Sequence, residues 1–425
     1  MREVHPIARR RRLLGYSQEM LAEAIGVDRT TVARWERGTI PHPHQRALIA
    51  QHLQVDPEQL AQWLGERVGT TAPTESVPHR QSTEDDLKEV SRFTTSLVRG
   101  AVGDSTLEHV DVEVRRLALR YTCTPIWALL SEVRELRTTV FGMIEQNRYP
   151  QQIRSLHLAA ARLCGLQAHV FLDLGRYRDA EAYAHAAWAC AGPAGHPQTQ
   201  AWVRSVQSLI SYWTGDFRGG AALALDGRNY ARHNSAAVRL PALQARAAAA
   251  LGDADSANSA LEAADEARDR NHAADDNLGG LLDFPEAKYA TYAGTTLLAL
   301  GGAQYARRAA TESTRAIALH EETNTNQRSV PDLLAARLDL ATAYLMLGEL
   351  DGTAEQVKVV GAASPEHHTA SIRKRAGKLR ERLVVTRYGA SPVGRELQSA
   401  LQAVQSNVPR NRGPATEVEA HDRST

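Results

Sequence analysis

The sequence predicts an all-α chain in which a short N-terminal bundle of five helices precedes a long array of helix pairs. Three observations carry that expectation. Apolar residues recur at three- and four-residue spacing along most of the chain. Alanine is abundant while aromatic residues make up only 5%, and small side chains let helix axes approach closely. A short phrase of apolar residues ending in glycine returns five times between residues 168 and 350, as internal repeats do. At 425 residues the chain exceeds one ordinary core, and roughly 100–200 residues per domain implies two or three units.

Formal net charge is only +1 and hydrophobic content 43%, so folded cores are expected and any basic surface must be local. Only five of the 50 basic residues are lysines (Lys88, Lys288, Lys358, Lys374 and Lys378), which makes each arginine a weaker clue. Cys123, Cys164 and Cys190 lie far apart without a CxxC pair, which argues against a zinc site or a disulfide framework and fits a reduced, cytoplasmic setting. No run approaches the 18 apolar residues of a membrane span, so no membrane partner is expected. A lysine-bearing phosphate loop, His-Glu-x-x-His and Gly-x-Ser-x-Gly are all absent from the sequence. The expectation is a non-enzyme with no cofactor.

Within residues 1–68 the informative segment is Ser17-Gln-Glu-Met-Leu-Ala-Glu-Ala-Ile-Gly-Val-Asp-Arg-Thr-Thr-Val-Ala-Arg-Trp-Glu-Arg-Gly38. Ser17 can cap a helix on which Leu21, Ala22 and Ile25 share one face. Gly26 permits a left-handed turn, Val27 anchors it and Asp28 suits the cap of the next helix. On that helix, Asp28 to Arg37, Val32 and Trp35 fall three apart on the buried side, leaving Arg29, Thr30, Thr31, Ala33 and Arg34 outward or sideways. Arg9 to Arg12 cover more than a full turn, so at least one must lie along the core side with its stem extended over it. Residues 1–50 hold nine arginines against Glu3, Glu19, Glu23, Asp28 and Glu36, leaving +4 where a basic field would be needed. His42 and His44 lack a third ligand and read as turn residues.

This stretch resembles the Cro and phage-repressor class of helix-turn-helix domains, the Xre family, in its Ser-Gln, Leu-Ala, Gly-Val, Trp-Glu-x-Gly and Pro signatures. The resemblance covers about 55 residues, extending through Ile49, Ala50, Leu53, Val55 and Leu60. It implies a five-helix, lambda-repressor-like domain whose third helix lies in the major groove of double-stranded DNA. Arg29 is then the first candidate for bidentate recognition of guanine. Thr30 and Thr31 would touch a thymine methyl or a phosphate, Arg34 a base or the backbone, and Gln18 and Arg37 phosphate. Each also reads as a solvated surface side chain, an alternative that weighs less for Arg29 than for Thr31 and Arg37. The resemblance implies as well that one of Arg9 to Arg12 pairs with Glu36, unless it only extends over the core. The resemblance further implies a homodimer on a palindromic operator, with repression the family-weighted output.

Residues 69–86 turn to threonine, serine, proline and charge, the composition of a flexible linker. Residues 87–405 are helical in pattern, with Val110, Val114, Leu117 and Tyr121 as possible leading repeats. The clearest unit, Ala168 to Trp188, carries Leu-Gly175-Arg-Tyr177 followed by Ala180 and Tyr183. It looks like a tetratricopeptide repeat, in which glycine reverses the chain between antiparallel helices. Weaker copies surround Gly215, Gly252, Gly301 and Gly348, at spacings longer than the usual 34 or so residues. Loops at Gly192–Gln198, Asn271–Gly280 and Asn324–Pro331 would absorb the excess. Arg373 to Val385 should end the stack, before a disordered tail at 406–425.

Chains joining the two modules resemble actinobacterial developmental regulators and, more distantly, peptide-responsive quorum regulators, which implies a peptide, protein or small-molecule effector. Arg204, Gln207, Tyr212, Lys288, Tyr292 and Arg337 are the groove candidates; each reads at least as well as ordinary inter-helix packing. Tyr183, Trp188, Trp202, Tyr212 and Trp213 either line a pocket or pack the repeats. The rival functions are a protein-interaction scaffold and an antitoxin-like repressor governed by a cognate protein.

Overall fold

The computed structural model describes residues 4–64, 90, 103–147, 149–231, 235–270, 279–325 and 327–407. The described residues contain helices and turns and no strand. The chain divides into two compact units, Met1–Lys88 and Glu89–Thr425. The expected linker at 69–86, most of the loop Asn271–Gly280 and the tail beyond Asn407 lie outside the described residues.

The first unit comprises α1 (Pro6–Leu13), α2 (Gln18–Ile25), α3 (Arg29–Trp35), α4 (Pro43–Leu53) and α5 (Pro57–Trp63). Ser17 Oγ accepts from the Met20 amide at 3.0 Å, and Gly26 turns the chain at φ 75°, a backbone region that strains any residue with a Cβ. The core gathers Ile7, Leu21, Ala22, Ile25, Val32, Trp35, Ile49, Ala50, Leu53 and Leu60. Two details differ from expectation. Asp28 stands at the N-cap of α3 without a side-chain capping bond, and α3 ends at Trp35, so Arg37 sits on the turn that follows.

In the second unit the helices are α6 (Asp104–Arg120), α7 (Ile126–Gln146), α8 (Pro150–Leu174), α9 (Tyr177–Ala194), α10 (Pro197–Thr214), α11 (Phe217–Gly227), α12 (Ser235–Ala250), α13 (Ala254–Arg270), α14 (Glu286–Leu300), α15 (Gly302–Glu322), α16 (Val330–Leu347), α17 (Leu350–Ala362), α18 (Ala370–Val384) and α19 (Pro392–Ser406). From α8 to α17 each helix packs on the next, each first helix also packs on the first helix of the following pair, and α19 packs on both α17 and α18. This is solenoid packing of consecutive helices. The five turn glycines Gly175, Gly215, Gly252, Gly301 and Gly348 all have φ between 74° and 93°, the conformation that made glycine the marker of these turns.

The two members of each pair differ in burial. First helices such as α8 and α12 are buried on almost every side, while their partners bury mainly one alanine-rich stripe, as in Ala180, Ala184, Ala187 and Ala191 of α9. Close approach explains a glycine inside α8: a Cβ on Gly165 would lie 2.2 Å from the Trp202 ring. The unit also returns on itself, because α18 meets the end of α8, with the Ala370 methyl 3.3 Å from where a Cβ on Gly175 would stand.

Three expected boundaries shift. The helix α9 continues through Pro193 to Ala194, so the loop at Gly192–Gln198 shrinks to Gly195 and His196. Pro193 stands one residue before the helix ends, so the ladder bond it cannot make is among the last. The basic helix α18 does not end the stack, since α19 packs on it through Leu397, Leu401 and Val404. Ser406, expected to open the tail, is the final residue of α19.

Candidate functional site

In the first unit, α3 presents two opposite faces. Val32 and Trp35 are buried, whereas Arg29, Thr30, Arg34 and Arg37 are exposed and Thr31 is half-buried. The α3 backbone is fixed from behind by a buried ion pair: Arg11 Nε lies 2.5 Å from Glu36 Oε1, with side-chain exposures of 7% and 8%. Arg11 also donates to the Tyr16 carbonyl at 2.5 Å, and Gln18 Nε2 donates to Glu36 Oε2 at 2.6 Å. One carboxylate thus ties α1 and the N-terminus of α2 to the end of α3.

That network divides the four consecutive arginines. Arg11 is the core-facing one, and Arg10 caps the end of α4 by donating to the carbonyls of Leu53 at 2.9 Å and Gln54 at 3.0 Å. Arg9 and Arg12 are exposed. On α3, Arg29 forms a loose surface pair with Glu19 at 3.2 Å, both side chains 63% exposed, so it can leave that partner at little cost. Arg37 Nε donates to the Ala33 carbonyl at 3.0 Å. The result is a rigid helix with cationic and hydroxyl groups pointing into solvent.

In the second unit the first helices converge on an interior cavity of about 80 Å³. Its lining includes Asp173 of α8, Trp213 of α10, Arg246 of α12, Lys288 and Tyr292 of α14, Asp332 of α16 and Arg375 of α18. Of the six groove candidates only Lys288 and Tyr292 line it. Tyr212 packs one layer out, against the Arg246 guanidinium at 4.4 Å. Arg204 lies over Trp188 at 3.5 Å, pairs with Asp226 at 2.6 Å and donates to Gln207 at 2.8 Å. Arg337 pairs with Glu321 and donates to Gln356 at 2.9 Å. Arg204, Gln207 and Arg337 therefore bind first helices to neighbouring second helices. Among the aromatics, Trp213 lines this cavity, Tyr183 stacks on Phe171 at 5.2 Å and Trp188 meets Tyr230 at 5.6 Å. Trp202 borders a second cavity of about 440 Å³ between α6, α8 and α10, whose rim at Ser235 adjoins residues outside the described set.

Sequence reasoning missed Asp173, Arg246, Asp332 and Arg375. Lys288 and Asp332 pair at 3.2 Å, and Arg375 Nε lies 3.1 Å from Asp339 Oδ1. Burial opposes the charge on Lys288, yet Asp332 holds its pKa above the ordinary value. His169 is kept neutral, well below its usual range, by burial and by the charges of Lys288 and Arg239. Asp173 accepts from Tyr121 Oη at 2.5 Å. Burial first, and the neighbouring Asp332 charge, push its carboxyl from 3.8 up to about 6, against the opposing effects of Tyr121 and Lys288.

A pH dependence follows. Because the folded-state value lies above the unfolded one, the contribution of Asp173 is fully present below about pH 4 and is lost as pH rises through about 6. Asp173→Asn keeps a neutral acceptor for Tyr121, so its melting temperature relative to wild type should rise between pH 5 and pH 7.5. Melting curves at the two pH values check this; a difference that stays flat would show that Asp173 is ordinarily ionised.

Comparison with curated proteins returned no match. Residues 7–60, from the first core residue of α1 to the core leucine of α5, match the family model described as Helix-turn-helix, and the chain carries a helix-turn-helix unit that supports a DNA-binding transcription regulator.

Proposed function

We propose that this protein is a sequence-specific transcription regulator that binds a two-fold symmetric operator as a homodimer, and whose tetratricopeptide-like second unit receives an effector that alters DNA affinity. The observation that carries the DNA half is the exposed face of Arg29, Thr30 and Arg34 opposite buried Val32 and Trp35, on a helix immobilised by the Arg11–Glu36–Gln18 network. A rigid helix with such a face suits the major groove, where its N-terminal side chains meet base edges. Gln18 keeps one amide proton for a phosphate, and Thr31 and Arg37 flank the same face. Two recognition helices about one helical turn of DNA apart require two copies of the chain. Repression is the output the resemblance favours. The effector half rests on the cavity at the meeting of the first helices, since ligand sites combine enclosure with a few convergent polar groups.

The test is selection of genomic fragments by the full-length protein, followed by mobility shifts at several salt concentrations. A single family of sites with two-fold related half-sites is expected, with affinity falling steeply with salt as phosphate contacts are screened. Equal affinity for every duplex would sink the regulator reading in favour of a scaffold.

A further inference from the structure

The cations around the interior cavity are not equivalent. Lys288 is neutralised by Asp332, which also accepts from Ser329 Oγ at 2.8 Å. Arg375 is neutralised by Asp339 and donates to Thr295 Oγ1 at 3.1 Å. Arg246 has neither arrangement. It is 1% exposed and lies between the rings of Tyr292 at 4.3 Å and Tyr212 at 4.4 Å. Among the described residues it forms no ion pair, and its Nε and one terminal nitrogen have no hydrogen-bond partner. A guanidinium cannot shed its charge, so burial leaves it fully exposed to the desolvation penalty. These two rings, and that of Trp213 at 5.8 Å, attract the cation but do not supply the oxygen acceptors its N–H groups lack.

The cavity's carboxylates do not answer this. Asp173 is engaged by Tyr121, Asp332 by Lys288 and Ser329, and Glu366 lies at the rim, 3.8 Å from His367. The whole cavity that Arg246 helps to line measures about 80 Å³, against the roughly 10–15 Å³ that one water occupies. It admits a group several times larger than water and polar enough to use a planar fork of donors.

Resting on the effector reading above, we infer that this cavity is an oxyanion site: Arg246 takes a carboxylate or phosphate group of a small ligand through paired N–H···O bonds, with the ligand seated between α8, α10, α12 and α14. Such a group supplies the missing charge and, once the walls part slightly around the two nitrogens, each of which exposes under 1 Å², both missing acceptors. The rings of Tyr212 and Tyr292 hold the guanidinium plane in place, so little ordering remains when the ligand arrives.

The experiment uses full-length protein at constant ionic strength, with chloride as the control and inorganic phosphate and N-acetylglycine as the two probes. Calorimetric titration and melting temperature are both read. Wild type should bind one probe and melt higher in it, and which one responds separates phosphate from carboxylate ligands. Arg246→Met removes the uncompensated charge while keeping volume, so it should melt at or above wild type without ligand and lose at least about tenfold in probe affinity. Arg246→Lys, a second variant should the first fold poorly, keeps the cation but loses the fork and should bind with intermediate affinity. No response of wild type to either probe, or an unchanged response in both variants, overturns the oxyanion site. Operator affinity with and without saturating probe is measured alongside. A probe that binds through Arg246 yet leaves operator affinity unchanged sustains the site and removes the effector role.

Discussion

Replacing Glu36 with alanine should destabilise the N-terminal unit by about 3–5 kcal/mol, the cost of leaving one member of a buried ion pair without its partner. Arg11, 6% exposed, would retain only the Tyr16 carbonyl, and the Gln18 amide would lose its acceptor as well. A unit of some 60 residues has only about 3–9 kcal/mol to lose, at 0.05–0.15 kcal/mol per residue. The variant should therefore lose from about a third to all of that stability across the shared core of α1 to α5, while α6 to α19 stay intact. Hydrogen exchange of the full-length protein resolves the two units: amides of Leu21 to Trp35 should lose most of their protection and those of α8 to α16 should not. The double variant Arg11→Met with Glu36→Leu replaces the pair by apolar groups of similar volume and should recover most of the protection, because the penalty lies in the orphaned charge. Wild-type protection in Glu36→Ala alone would mean that the pair is not buried in solution.

Most of the first unit was legible because its determinants are local. The Ser17 cap, the Gly26 turn and the Val32–Trp35 spacing each act within four residues, and each stands as read. The pairing of an arginine with Glu36 was implied by the resemblance as one of two alternatives, without its identity: four consecutive arginines sample every direction around α1, and the packing of α1 against α4 chooses Arg11. The cavity was not legible, because Asp173, Arg246, Lys288, Asp332 and Arg375 come from five helices spread over some 200 residues, and no spacing states which faces will meet. Long polar side chains on first helices were a poor guide. Arg204 and Arg337 reach sideways to Asp226 and Glu321 on neighbouring second helices. A better signal was available in polar residues seven apart on otherwise apolar first helices: Arg162 and His169, Arg239 and Arg246, Lys288 and Thr295, Asp332 and Asp339. Seven residues are close to two turns, so each pair shares one face, and a polar pair on a helix with no solvent face must look into the interior.

Arg29→Ala should weaken the selected operator by about 5- to 150-fold, corresponding to about 1–3 kcal/mol for a bidentate arginine–guanine contact, while non-specific duplex affinity changes little. The reasoning separates two roles for a cation. A phosphate contact contributes to every duplex alike and to the slope of affinity against salt; a base contact contributes to one sequence only. Arg29 opens α3 and stands at its N-terminus, where side chains meet base edges in a groove-bound recognition helix. Arg37 lies beyond the end of α3 with Nε engaged on the Ala33 carbonyl, so Arg37→Ala should lower all affinities by a similar factor and shallow the salt slope by about one. The Arg29–Glu19 pair, 63% exposed on both sides, opposes DNA binding by at most about 1 kcal/mol. Glu19→Gln should then leave the operator sequence unchanged and strengthen binding severalfold at most. Mobility shifts of the three variants on the operator and on a scrambled duplex, each at two salt concentrations, decide the assignment. If Arg29→Ala weakens both duplexes equally, Arg29 is a backbone contact and sequence must be read by Thr30 and Arg34.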